Sequence, residues 1–146
     1  MLIKKSIEIL TKNARETQKF GERMSGEILK MPLKKKAIVL ALVGNLGGGK
    51  TCFLQGFAKG LGIKEKILSP TFIIMKRFGT FYHFDCYRIQ KAKDILDLGF
   101  KKIINNPKNI VAIEWADKIK SLLPKERIMI HFGLVGKNKR KIIFTK

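Results

Sequence analysis

Residues 37–51 read Ala37-Ile38-Val39-Leu40-Ala41-Leu42-Val43-Gly44-Asn45-Leu46-Gly47-Gly48-Gly49-Lys50-Thr51. The stretch Ala37–Val43 is an unbroken apolar run, which suits a central strand buried on both faces of a sheet. Gly44 to Thr51 then fits G-x-x-x-x-G-K-[ST] without a mismatch. Beyond it, Phe53, Leu54, Phe57, Ala58 and Leu61 recur at helical spacing, and Gly62 ends the run. Strand, glycine segment and helix in that order form the context of a phosphate-binding loop. Phosphate oxygens need several backbone N–H donors pointing inward, and side chains would obstruct them. Glycines remove the side chains and permit the turn. A helix starting near Lys50 adds its first amides and the positive end of its dipole.

The pattern assigns roles. Lys50 is expected to reach the β- and γ-phosphates of a nucleotide, and the Thr51 hydroxyl to bind Mg²⁺ bridging them. The candidate phosphate contacts are Asn45, Leu46, Gly47, Gly48, Gly49, Lys50, Thr51 and Cys52. Cys52 is read as a small residue of the helix start rather than a reactive thiol. Such a site needs an opposing carboxylate at the end of a neighbouring buried strand. Glu114 ends the apolar run Ile110–Ile113 and is the candidate, as a second Mg²⁺ ligand. Asp85 sits among aromatics in Tyr82-His83-Phe84-Asp85-Cys86-Tyr87-Arg88. An acid buried there needs a partner, so it either pairs with Arg88 or faces the nucleotide. His83 is read as structural or at the surface rather than as a base. Ser69-Pro70-Thr71-Phe72 is either an ordinary turn or a switch-like segment that senses the γ-phosphate. Trp115 is either core or a cover over the site.

The rest of the chain supplies alternating elements. Lys5–Leu10 reads as a short strand. Asn13 and Glu16 have capping-box spacing before an amphipathic helix over Ala14–Leu29, which Pro32 stops. Thr71–Phe78 and Phe81–Tyr87 read as strands around Gly79, Ala92–Ile104 as mostly helical, and Asn109–Trp115 as a second buried strand. Asp117–Leu123 reads as a short helix. Arg127–Leu134 and Lys139–Phe144 read as a closing antiparallel pair. The fold class expected is α/β: a three-layer sandwich like those of P-loop NTPases, its mixed sheet parallel at the centre and antiparallel at one side. Residues 1–146 are expected to form one domain.

Composition narrows the function. Apolar residues make up 45% and charged residues 29%, which excludes dominant disorder. Two cysteines without metal-ligand spacing exclude a disulfide framework or a zinc site. No stretch approaches the roughly 20 apolar residues of a membrane span, and a cytoplasmic location is the default expectation. The formal charge of +20 favours polyanionic or acidic partners or reflects free use of surface lysine. Only six of the 31 basic residues are arginine, and these are scattered.

The segments GNLGGGKTCFLQGFAKGLGI (44–63), SPTF (69–72), YHFDCYRI (82–89), LGF (98–100), IEWADKI (113–119) and LLP (122–124) follow one another as in the TsaE (YjeE) family. NARETQKFGERM (13–24) is similar to that family's first helix. The resemblance spans nearly the whole chain. It implies a Mg²⁺-dependent ATPase of bacterial tRNA threonylcarbamoyladenosine biosynthesis, supporting the assembly that installs threonylcarbamoyl on the adenosine at tRNA position 37. It implies binding to a TsaD–TsaB heterodimer, weak ATP hydrolysis alone, and tRNA contact only through that complex. By the same resemblance Thr51 and Glu114 hold Mg²⁺, Asp85 is required for activity, 69–71 form a switch-like segment, and Trp115 borders the nucleotide. Two positions depart from the family: Asn45 replaces a usual acid, and Ala116 a usual proline. Two other functions share the same loop. A small-molecule kinase would need an arginine-rich lid, and a basic RNA-binding module with an idle loop would bind RNA regardless of ATP.

Overall fold

A computed structural model describes residues 6–44, 49–67 and 73–145. The candidates Asn45, Leu46, Gly47, Gly48, Ser69 and Thr71 lie outside the described residues. The elements are β1 (Ser6–Thr11), α1 (Ala14–Leu29), β2 (Ile38–Gly44), α2 (Lys50–Gly60), β3 (Met75–Phe78), β4 (Phe81–Asp85), α3 (Ala92–Leu96), α4 (Phe100–Ile104), β5 (Ile110–Glu114), a 3₁₀ segment (Ala116–Leu122), β6 (Ile128–Gly136) and β7 (Lys139–Thr145). The strands form one sheet in the order β1-β7-β6-β2-β5-β4-β3.

The sheet is mixed, as expected. β2 lies between two parallel neighbours, β5 and β6, and β4 runs parallel to β5. Antiparallel pairs flank this centre on both sides rather than one: β3 with β4, and β6 with β7 and β7 with β1. The short β3–β4 hairpin at Gly79 is local, whereas the β1–β7 pair joins distant segments, which strand patterns alone do not register.

Alternation of side chains across the pleat makes two cores, one on each face of β2. Leu40 and Leu42 pack with Phe53, Leu54 and Phe57 of α2 and with Ile130, Phe132 and Ile142. Val39, Ala41 and Val43 pack with Val111, Ile113 and Phe84 and with Ile95, Phe100 and Ile119 from the other helical layer. Each fully buried Leu, Ile or Phe contributes roughly 1.5–3 kcal/mol. The result is the three-layer arrangement.

α1 has the bounds the sequence predicts. The Asn13 side chain accepts from Glu16 N at 2.9 Å, and Glu16 Oε1 accepts from Lys12 N at 2.8 Å. α1 and α2 pack backbone to backbone. A Cβ at Gly56 would stand 1.8 Å from Gln18 O, and one at Gly21 would stand 2.1 Å from Phe53 O. The helix expected over Ala92–Ile104 is instead two short helices. Gly99, in the left-handed region at φ 84, separates them. The strand expected over Phe81–Tyr87 ends at Asp85, because the chain turns where Tyr87 N donates to Asp85 Oδ1. Asp117–Leu123 falls on the 3₁₀ segment. Among the described residues no helix is long and apolar enough to cross a membrane.

Candidate functional site

Three strand ends and one helix start meet at one edge of the sheet. β2 ends at Gly44, and α2 begins at Lys50 after Gly49, whose φ is 99. Gly44 has no room for a side chain: a Cβ there would lie 2.4 Å from Phe132 O of β6. Parallel register then sets Leu42 opposite Glu114 and Glu114 opposite Asp85. His83, Asp85 and Glu114 share the face that carries Phe81 and Ala112 in the core beneath α2. The sheet therefore delivers a histidine and two acids to the side from which Lys50 approaches.

Lys50 is 5% exposed. Its Nζ donates to Gly44 O at 2.6 Å and lies 3.7 Å from the centroid of the Trp115 ring. Burial lowers the pKa of this ammonium, and the charges of Glu114, Asp85 and Asp117 partly offset the effect. The lysine bends across the end of β2 and is held by a carbonyl, an aromatic face and an acidic field. Such an ammonium is poised for a stronger anionic acceptor.

Glu114 is 3% exposed, and its Oε2 is 2.7 Å from His83 Nε2. The bond engages one carboxylate oxygen and fixes the plane of the group, leaving the second oxygen as a ligand atom by its chemistry. Asp85 is also buried. Desolvation raises its pKa, with Glu114 adding to the rise, while the bond from Tyr87 N and the charges of His83 and Lys50 oppose it. Asp85 thus lies in the electrostatic field of Lys50, Glu114 and His83.

Trp115 adopts a left-handed backbone, φ 57 and ψ 42. A bulky residue held there costs about 1–3 kcal/mol. The turn swings its indole off the end of β5 and onto Lys50. Tyr87 extends this ledge, its ring centroid 5.0 Å from that of Trp115, and Lys118 Nζ donates to Tyr87 O. Trp115 thus packs against the core and also lies against Lys50. Cys86 is buried beside the ledge, and burial pushes its thiol up to about 12, so it is an inert packing group.

Thr51 stands in the first turn of α2, half-buried, directly after Lys50. A threonine hydroxyl and carboxylates such as those of Glu114 and Asp85 are hard oxygen donors, the kind Mg²⁺ takes. Mg²⁺ is normally held by one or two side chains together with substrate phosphates. Among the described residues no group of three or more His, Cys, Asp or Glu forms an all-protein cage. Oxygen donors of this chemistry fit Mg²⁺. Cys52 follows in the same turn, half-buried.

Two features escape a sequence reading. His83 proves to be the partner that orients Glu114; the signal was its alternation with Asp85, which puts both on one face. Arg140, on β7, lies against Gly49: a Cβ on that glycine would be 3.4–3.5 Å from the Arg140 Cγ, Cδ and Nε atoms. Nothing in the local sequence links positions 49 and 140.

Comparison with known proteins adds an independent line. The family described as "Threonylcarbamoyl adenosine biosynthesis protein TsaE" matches residues 11–142. A "tRNA threonylcarbamoyladenosine biosynthesis protein TsaE" of Bacillus subtilis (strain 168) is 36% identical, over 97% of this chain and 86% of its own length. A protein of the same name from Treponema pallidum (strain Nichols) is 32% identical, over 91% of this chain and 96% of its own. The crystal structure of YdiB from Bacillus subtilis superposes with a TM-score of 0.73 at 32% identity, covering 99% of this chain and 88% of that one.

Proposed function

The chain belongs to the TsaE family, and from that membership we propose that it is a Mg²⁺-dependent ATPase serving tRNA threonylcarbamoyladenosine biosynthesis. It would act as an accessory subunit on a cytoplasmic TsaD–TsaB heterodimer and meet tRNA only through that assembly. The observation that carries the reading is the posture of Lys50. A buried ammonium at a strand–glycine–helix junction, on a main-chain carbonyl and facing two acids, fits an ATP phosphate tail.

In this reading the amides of 45–52 cradle the phosphates, and Lys50 exchanges Gly44 O for a phosphate oxygen. Thr51 and Glu114 would hold Mg²⁺, which neutralises phosphate charge when bound. His83 keeps Glu114 in position. Asp85 orients the attacking water and takes its proton, a task that suits a carboxylate made more basic by burial. Trp115 closes the site, and Ser69 and Thr71 respond to the γ-phosphate.

Phosphate release, measured with Mg²⁺ for the chain alone and with added TsaD–TsaB, tests the proposal. Slow turnover alone, altered by the partner pair, is expected. Lys50→Ala should lower it about 10²-fold or more. Wild-type turnover by Lys50→Ala in clean preparations would remove the site assignment. The emission of the single tryptophan gives a second readout, because Lys50 leaves its ring when ATP binds.

A further inference from the structure

We propose that Arg140 is a phosphate-binding arginine supplied in cis, its guanidinium contacting the phosphate tail of the nucleotide held at Gly44–Thr51. This rests on the nucleotide reading above and adds to it a residue from the far end of the chain.

Register brings Arg140 to the site. Gly44, the last residue of β2, pairs with Phe132 of β6, which pairs with Ile142 of β7. Leu134 pairs with Arg140 beyond them. The β6–β7 hairpin therefore runs past the end of β2 and places Arg140 at the level where the chain turns into α2. The pleat chooses the face. Ile142 belongs to the core beneath α2 and Phe144 packs against it, and Arg140 alternates with both. Lys139 and Lys141 take the opposite face, where Lys141 Nζ is 3.5 Å from Glu8 Oε1. A bulge between Leu134 and Gly136 interrupts the ladder beside Arg140, and bulges next to sites re-aim side chains.

Electrostatics points to an anion. Arg140 packs on the glycine that immediately precedes α2, whose N-terminus carries partial positive charge. Lys50 lies toward β5 and β4, near Glu114 and Asp85, whereas Arg140 comes from the β6–β7 side. The Arg140 stem reaches Gly49, its Nη1 donating to Lys139 O at 3.5 Å, so two cations approach the start of α2 from different sides of the sheet. A phosphate there would give each cation an anionic partner, and a guanidinium can bind it through two parallel N–H bonds.

Calorimetric titration of ATP into the full chain, with Mg²⁺, tests the assignment. Arg140→Ala should weaken ATP binding about ten- to hundredfold, the range for a hydrogen bond to a charged group. Arg140→Lys should recover part of it. Lys139→Ala should stay within about threefold of wild type, since diffuse surface charge is screened. Arg140→Gln keeps much of the stem and removes the guanidinium. Loss in Gln equal to that in Ala supports phosphate contact; wild-type affinity in Gln means packing and overturns the proposal. Equal losses in Lys139→Ala and Arg140→Ala overturn it too. Lys50→Ala separates the two levels. If Lys50→Ala loses ATP and Arg140→Ala does not, only the arginine assignment falls; if wild type binds no ATP, the nucleotide reading falls with it.

Discussion

Asp85 shows how the site trades stability for readiness. Its carboxyl is pushed above the usual range chiefly by burial, so the folded chain favours the protonated form. The stability this gives is complete below the ordinary Asp value of about 3.9 and is lost as pH rises from there through the raised value. At neutral pH the ionised group is a net cost. Asp85→Asn should therefore raise the stability of the nucleotide-free chain at pH 7 by roughly 0.5–2 kcal/mol, and by less near pH 4, while abolishing turnover. Urea unfolding at the two pH values checks this; a variant less stable than wild type at pH 7 would contradict the sign. Lys50 follows the same logic with opposite charge, being a buried cation whose pKa is lowered. Both groups are held in states that water would favour more, as is expected where charge is to be met by a ligand.

Among the elements, the α1–α2 contact is the most exacting. Gly56→Ala sets a methyl group against a main-chain carbonyl at 1.8 Å, which only separation of the helices relieves. The variant should lose roughly 1–3 kcal/mol or more. Gly26, on α1, has nothing within 4 Å of its Cβ position, and Gly26→Ala should gain about 0.5–1 kcal/mol from helix propensity. Denaturant midpoints compare the pair. These elements also mark how far the sequence is legible. β2 and α2 declare themselves through an apolar run and a helical stripe, and α1 through Asn13 and Glu16. The break at Gly99 does not, because Ile95, Phe100, Ile103 and Ile104 keep an apolar rhythm across it. Glu114 is legible as the polar end of a buried run. The His83–Glu114 bond is not, since it depends on the lateral register of β4 on β5, which no single segment encodes.

For the molecule as a whole, charge is the dominant peculiarity. The chain carries +20 with only 11 acids, and three of those acids, Asp85, Glu114 and Asp117, act on Lys50. The remaining surface repels itself. Raising KCl from low millimolar to about 0.5 M shortens the Debye length to a few ångströms and should lift the melting temperature by about 2–4 °C, the response to roughly 1 kcal/mol. A melting temperature that falls with KCl would show instead that attractive surface pairs dominate.

β1 lies at the sheet margin and pairs with β7, whose register runs from Ser6 opposite Thr145 to Thr11 opposite Arg140. β1 therefore has no partner in this sheet until β7 has been made. Until then β1 offers an unpaired edge to other nascent chains.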